Sequence, residues 1–144
     1  MFLLDTNVVS ESRKLGTSRV DVVAASWLDR IDAAQTFLSA MTVFELERGV
    51  QQMERRDATQ GLMLRRWLND RVMLTYETRV LPLSGAVAQL CAGLHFPDPR
   101  SERDAWIAAT AIDAGLRLAT RNVGDFVGMG VSLFNPFERE DEDR

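Results

Sequence analysis

The sequence predicts an α/β domain, a three-layer α/β/α sandwich with a central, mainly parallel sheet. Short apolar runs alternate with segments of helical periodicity, and this order is typical of a parallel sheet covered by helices on both faces. The length of 144 residues, with 46% hydrophobic and 26% charged residues, is that of one compact domain. We therefore expect one domain over residues 1–137 and a flexible acidic tail over residues 138–144.

Five short runs of apolar and β-branched residues are the expected strands. They lie at residues 2–4, 36–38, 80–83, 116–120 and 131–134. Between them, apolar residues repeat every three or four positions, as on the buried stripe of an amphipathic helix. The expected helices lie near residues 20–31, 43–53, 64–72, 84–94 and 104–115.

Four acidic residues stand beside these segments, at places where the fold can bring them together. They are Asp5, Glu45, Asp104 and Asp125. Asp5 ends the first strand, Asp125 follows the fourth, and Asp104 begins an alanine-rich helix that can pack closely on the sheet. Sites in open parallel sheets form beyond the carboxyl ends of the strands, so the position of Asp5 favours a functional role.

Each acid also has a local structural explanation. Residues 42–45 and 101–104 fit the capping box, in which an acid three residues after the helix cap bonds back to the cap. Residues 18–21 fit the same pattern, and their acid is expected to be a cap only. The polar residues after Asp5 suit a helix N-terminus, and Asp125 suits a turn. Only the joint arrangement of the four acids therefore favours a catalytic site over separate caps.

Several carboxylates in one cleft repel one another and need a cation to remain ionised together. A zinc site of thiols and imidazoles is excluded, because His95 and Cys91 are the only histidine and cysteine. Carboxylate oxygens suit the hard ions Mg²⁺ and Mn²⁺, which serve phosphoryl chemistry. The expected reaction is therefore phosphodiester hydrolysis. A glycosidase also uses paired carboxylates, but it needs two and no metal, so four acids fit it less well.

The formal net charge of −4 argues at first against a nucleic-acid partner, because phosphate contacts need cations. The distribution of charge weakens that objection. The tail 138–144 carries five acids and two arginines, whereas residues 48–79 carry seven arginines against four acids. Sixteen of the seventeen basic residues are arginines, whose planar guanidinium suits phosphate. The arginines of residues 48–79 are either an RNA-steering surface or an ordinary solvated helix face.

Four sequence motifs occur in order over residues 1–137. They are DTNVVSE from Asp5, T-x-x-E-L-x-x-G over residues 42–49, DAWIAATA from Asp104, and LATRNVGDF followed by GMGVSLFNPF near the end. Together they resemble the PIN-domain family, most of all its VapC-type, FitB-like toxins. The resemblance implies that residues 1–137 form a single PIN domain. It also implies a metal-dependent endoribonuclease that uses Mg²⁺, with Mn²⁺ able to substitute.

The resemblance also implies roles for individual residues. The implied catalytic acids are Asp5, Glu45, Asp104 and Asp125. All but Glu45 would hold the metal directly or through water, while Glu45 would orient or deprotonate the attacking water. The implied supporting residues are Thr6, Asn7, Thr120 and Asn122. The last motif departs from the family pattern, because Asn122 occupies a place often held by an acid. Asp125 is then the remaining carboxylate, and one or two metal ions stay possible.

The implied partners are a cognate antitoxin, an RNA substrate, DNA only through the antitoxin, and a second copy in a homodimer. Two other functions stay open: a non-toxic PIN nuclease for RNA or DNA processing, and a catalytically idle subunit of a DNA-binding repressor complex. No membrane role is expected, because no apolar run approaches about 20 residues. With no signal-peptide pattern and a single cysteine, we expect a cytoplasmic protein.

Overall fold

The computed structural model describes residues 1–139 and contains one sheet of five strands. The strands are β1 (Phe2–Leu4), β2 (Thr36–Ser39), β3 (Val80–Leu81), β4 (Arg117–Ala119) and β5 (Leu133–Phe134). All neighbouring pairs are parallel, as the alternation of apolar runs and helices predicted. The predicted fold class is confirmed, and each strand lies within its expected run or extends it by one residue.

The order of strands in the sheet is β3-β2-β1-β4-β5. The chain therefore winds outward from β1 to one edge and then continues on the other side of β1. This reversal falls between β1 and β4, which are paired along their length from Phe2–Arg117 to Leu4–Ala119. In an open parallel sheet, such a reversal leaves a crevice beyond the carboxyl ends of the two strands. Asp5 lies there, and its backbone N–H donates to the carbonyl of Ala119 at 2.9 Å.

Seven α-helices cover the sheet in the part of the chain described. They are α1 (Thr6–Ser12), α2 (Val22–Arg30), α3 (Ala40–Arg56), α4 (Ala58–Trp67), α5 (Met73–Thr75), α6 (Gly85–Gly93) and α7 (Glu102–Ala114). A π-helical turn at Leu68–Val72 joins α4 to α5, and 3-10 turns lie at Ala33–Gln35 and Val123–Phe126. Every helix predicted from periodicity is present.

Neighbouring residues of the central strands point to opposite faces of the sheet, so each face has its own core. On one face, Leu4 and Ala119 belong to a cluster completed by α1, α3 and the π-helical turn. On the other, Leu3 and Leu118 pack with Ile107 of α7. The three-layer sandwich follows from this alternation.

Helix α7 packs tightly because its buried positions are small. Ala108 and Ala111 belong to the core between the helix and the sheet, while Ala105 and Ala109 pack against α6. The helix ends at Gly115, whose φ of 67° lies in the left-handed region that glycine adopts at little cost. Close packing brings the first turn of α7 to the crevice at the carboxyl edge of the sheet.

The capping box predicted at residues 42–45 is wrong. Helix α3 begins at Ala40, and its cap is Ser39, whose hydroxyl accepts a hydrogen bond from the N–H of Met41 at 3.1 Å. Thr42 therefore lies inside the helix. The local explanation for Glu45 is removed, because this acid is not bonded to a cap.

The other two capping patterns give caps. Ser101 caps α7, and its hydroxyl accepts from the N–H of Asp104 at 3.4 Å, as predicted. Asp21 is itself the cap of α2 and accepts from the N–H of Ala24 at 3.0 Å. The expectation that Asp21 serves only as a cap agrees with this bond.

Within residues 1–139, no helix combines the length and apolar character needed to cross a bilayer. Only Glu138 and Arg139 of the predicted acidic tail are described. Residues 140–144 lie outside the described residues, so the predicted flexibility of the tail stays a prediction.

Candidate active site

Asp5 is the centre of the candidate site. It follows β1 directly, is fully buried, and caps α1 by accepting the N–H of Thr6 on Oδ1 at 2.8 Å. Its Oδ2 accepts the hydroxyl of Thr120 at 2.7 Å and the side-chain amide of Asn7 at 3.3 Å. The cap of α1 is thus Asp5 itself, and the same carboxylate is held from the ends of both β1 and β4.

Thr120 and Asn7 join the two loops that border the crevice. The Thr120 oxygen is fully buried and also accepts the backbone N–H of Asn122 at 3.0 Å. The side-chain oxygen of Asn7 accepts the N–H of Arg121 at 3.1 Å. The structure thus brings the expected supporting residues together, although Asn122 takes part through its backbone.

Glu45 and Asp104 reach the same crevice from two helices. Glu45 lies on α3 with 15% of its side chain exposed, and its Oε1 accepts the Thr6 hydroxyl at 2.7 Å. Asp104 lies in the first turn of α7 with 14% of its side chain exposed, near the positive end of the helix dipole. Three of the four predicted acids therefore converge from three different elements.

Arg103 lies between these three carboxylates and bonds to each of them. Its Nη2 donates to Asp5 Oδ1 at 2.6 Å, its Nε to Glu45 Oε2 at 2.6 Å, and its Nη1 to Asp104 Oδ1 at 2.5 Å. The three acceptors come from positions 98, 58 and 1 residues away in the sequence. One planar cation thus holds the whole acidic cluster together.

The electrostatics of the cluster favour the charged form of Arg103. Partial burial opposes the charge and acts to lower the pKa of the guanidinium, but attraction to Asp5 and the bonds with Glu45 and Asp104 outweigh it. The net effect raises the pKa of Arg103 above its ordinary value. Three carboxylates against one guanidinium leave a formal charge of −2, so the site still attracts cations.

Asp125 is not bonded to this cluster. It is exposed in the 3-10 turn at Val123–Phe126, and among the described residues its carboxylate makes no hydrogen bond or ion pair. Its backbone carbonyl accepts Arg100 at 3.2 Å. After β4, the side chain that bonds to Asp5 is Thr120, through its hydroxyl, and not Asp125. A catalytic role for Asp125 stays a prediction.

Sequence reasoning missed Arg103, whose only predicted place is inside the capping pattern of residues 101–104. One signal was present: of the four predicted acids, Asp104 alone has a basic neighbour in the sequence. A cation beside one member of a predicted acidic cluster is a candidate counter-ion for all of them. The distances to Asp5 and Glu45 could come only from the fold.

The donor set suits a hard divalent cation, because carboxylates with the hydroxyls of Thr6 and Thr120 present only oxygen ligands. The bonds of Arg103 support this fit independently, since they show that the cluster is arranged around positive charge. Over residues 1–139, however, no group of three or more His, Cys, Asp or Glu side chains is spaced to bind an ion as it stands.

Comparisons with known proteins agree with this fold. The sequence matches the family model of the PIN domain over residues 2–126. Toxin FitB from Neisseria gonorrhoeae is 34% identical over 143 residues, which cover 95% of this chain and 99% of the relative. VapC ribonuclease Y4jK from Sinorhizobium fredii is 33% identical over an alignment of 146 residues, which covers 96% of this chain and 99% of the relative. The solved structure of FitAB bound to an IR36 DNA fragment matches with a TM-score of 0.87, 29% identity and 99% coverage of both chains.

The chain therefore belongs to the PIN domain family. The resemblance seen in the four sequence motifs is confirmed, as is the α/β/α sandwich that it implied.

Proposed function

We propose that this protein is a divalent-metal-dependent endoribonuclease and the toxin of a toxin–antitoxin pair. The observation that carries the proposal is the convergence of Asp5, Glu45 and Asp104 in the crevice between β1 and β4. It is supported by membership of the PIN domain family and by relatives named as a toxin and a ribonuclease. Mg²⁺ is the proposed ion, with Mn²⁺ as a substitute.

In this proposal, some residues bind the metal ion and one acts on the attacking water. Asp5 and Asp104 would hold the ion, with Asp125 as a third carboxylate if its loop closes on the crevice. A bound divalent ion would lower the pKa of a coordinated water and offset charge on the scissile phosphate. Glu45 accepts the hydroxyl of Thr6 and would orient or deprotonate the attacking water. Thr120, Asn7 and the backbone N–H of Asn122 keep Asp5 in position.

In-line attack by water oxygen on the phosphorus forms one P–O bond as the bond to the 3′ oxygen breaks. The leaving 3′ oxygen takes up a proton, so the products carry a 5′-phosphate and a 3′-hydroxyl. Glu45, with 15% of its side chain exposed, is the proposed base that takes the proton from the attacking water. Sequencing of 5′-phosphate ends would identify the RNA that is cut.

Removal of the metal is expected to abolish RNA cleavage. Protein freed from its antitoxin and treated with a chelator should lose cleavage, and Mg²⁺ or Mn²⁺ should restore it. With the metal restored, Asp104→Asn should still cleave RNA at least about 100-fold more slowly than the wild type, because one charge-stabilising group is lost. Asp113→Asn is the matched control, since Asp113 is exposed on the same helix and outside the cluster. Cleavage that persists in the chelator would contradict a metal-dependent mechanism.

The exposed arginines at the end of α3 are expected to bind the RNA backbone. Arg55 and Arg56 are exposed, whereas Arg65 is committed to Glu47 and Glu54 and, through its bond, lowers the pKa of Glu47. The double change Arg55→Gln and Arg56→Gln should reduce the slope of log affinity against log salt by up to about 1.4 units, at about 0.7 per phosphate of single-stranded RNA.

The control for that experiment is Arg19→Gln, an exposed arginine outside residues 48–79. Arg55 and Arg56 also lie in the last turn of α3, where positive charge stabilises the helix dipole. An unchanged salt slope together with lower thermal stability would therefore show that they are only a solvated helix end.

The proposed partners are the antitoxin, a second copy of the chain, and DNA reached through the antitoxin. The DNA-bound FitAB structure supports the last of these. Exposed apolar side chains for such contacts include Phe44 on α3 and Met63 on α4, at 55% and 66% exposure. Trp27, in contrast, is 9% exposed and belongs to the core. Residues 1–137 are proposed as the single PIN domain, acting on cytoplasmic RNA.

A further inference from the structure

Arg103 uses all three of its guanidinium nitrogens to bind the acidic cluster. Each of its three guanidinium nitrogens donates to a different carboxylate, at 2.6, 2.6 and 2.5 Å for Asp5, Glu45 and Asp104. Its side chain is 30% exposed, so the cation closes the cluster on the side of the solvent. The contacts are those of a counter-ion for the whole site.

The remaining carboxylate oxygens show what Arg103 covers. Asp5 Oδ2 is occupied by Thr120 and Asn7, and Glu45 Oε1 is occupied by Thr6. The other oxygen of each acid is the one that Arg103 holds. Arg103 therefore occupies the point at which one oxygen from each of the three acids converges.

A divalent ion bound between the acids would compete with Arg103 in its present position for the same space. Mg²⁺ binds its oxygen ligands at about 2.0–2.1 Å, so an ion held by more than one of these carboxylates would lie in the space that the guanidinium occupies. Two neighbouring positive charges in the same small space would also repel one another.

We propose that Arg103 is an internal competitor for the divalent ion, holding the carboxylates together in the metal-free protein and leaving them when the ion binds. This inference rests on the proposed metal-dependent function. The apparent affinity for the metal is the intrinsic affinity multiplied by the fraction of molecules in which Arg103 has left the cluster. In the metal-free protein, Arg103 thus neutralises part of the charge of the catalytic acids and stabilises the fold. The concentration of free metal then sets the fraction of molecules that are active.

The test is metal binding by Arg103→Gln, measured calorimetrically with Mn²⁺ on the purified chain. Loss of the competing cation should tighten Mn²⁺ binding by about tenfold or more. Arg103→Lys keeps the charge but only one donor group, so its affinity should lie between those of Arg103→Gln and the wild type. Arg19→Gln should bind Mn²⁺ as the wild type does, because Arg19 is exposed and makes no bond to the three acids in the described part of the chain.

A second readout needs no substitution in the protein that is measured. The Nε–H of Arg103 donates to Glu45 in the metal-free protein, so its proton resonance should be shifted and protected from exchange. Titration with Mg²⁺ should remove that signal with the same midpoint as metal binding. Arg103→Lys lacks the Nε–H, so the signal missing from its spectrum identifies the Arg103 resonance. This measurement decides the proposal even if Arg103→Gln does not fold.

The outcomes distinguish failure of the Arg103 proposal from failure of the proposed function. Equal Mn²⁺ affinities of wild type and Arg103→Gln, or an Arg103 resonance unchanged at saturating Mg²⁺, would overturn the competitor, and metal-dependent RNA cleavage by the wild type would leave the proposed function standing. Absence of both metal binding and cleavage in every variant would overturn both. Tighter binding by Arg103→Gln with loss of the resonance supports the competitor.

Discussion

Asp5→Asn is expected to abolish RNA cleavage, with a loss of about 100-fold to 1000-fold. The change keeps the size of the side chain but removes the negative charge that Asp5 would offer to a metal. The carboxylate now accepts four donors: the N–H of Thr6, the amide of Asn7, the hydroxyl of Thr120 and Nη2 of Arg103. An asparagine amide has one oxygen and one NH₂ group, so it cannot accept all four.

The same substitution should also lower the free energy of unfolding by about 1–3 kcal/mol, because buried donors lose their acceptor. Thermal unfolding and circular dichroism of Asp5→Asn must therefore accompany the cleavage assay. Asp21→Asn is the matched control: Asp21 also caps a helix, and asparagine is an equally good cap. Cleavage by folded Asp5→Asn at the wild-type rate would remove Asp5 from the catalytic site.

Gly61→Ala is expected to destabilise the protein, although alanine is the better helix former. A Cβ at Gly61 on α4 would lie 2.5 Å from the Cα and 2.8 Å from the backbone N of Glu54 on α3. The contact is with backbone, so the two helices must separate, which costs about 1–3 kcal/mol. Separation would also strain the bonds of Arg65 to Glu47 and Glu54, at 2.6 and 2.9 Å, which link the same helices.

Gly49→Ala gives the opposite expected result and is the control. Gly49 lies within α3, is exposed, and no atom lies within 4 Å of an added Cβ. Alanine there should stabilise the protein by up to about 1 kcal/mol through helix propensity alone. Thermal unfolding of both variants measures the difference. A rise in stability for Gly61→Ala would show that α3 and α4 approach less closely than the structure indicates.

The strands could be predicted because their signal is local. Apolar runs bounded by turns or helices identify each strand, and the parallel order follows from the helices between them. Strand β3 is shorter than its expected run because Pro82 follows Leu81 and has no N–H for the sheet. Local sequence therefore specified the elements well and their ends less well.

The role of each acid could not be decided from local patterns. Glu45 fits a capping box in sequence, yet Ser39 caps the helix and Glu45 bonds to Thr6. Asp5 is both a helix cap and the centre of the cluster, so capping and function do not exclude one another. Asp125 has the motif position of a fourth acid, but no bond in the described chain joins its carboxylate to the cluster.

The sequence by itself determined the fold class, the order of strands and helices, the family, and the set of acids from which the site is drawn. These properties depend on periodicity and on motifs a few residues long. Only the tertiary structure decided that Asp5, Glu45 and Asp104 meet around Arg103, because their contacts join positions up to 98 residues apart. Such contacts form only when the reversal of strand order between β1 and β4 brings three separate elements to one edge of the sheet.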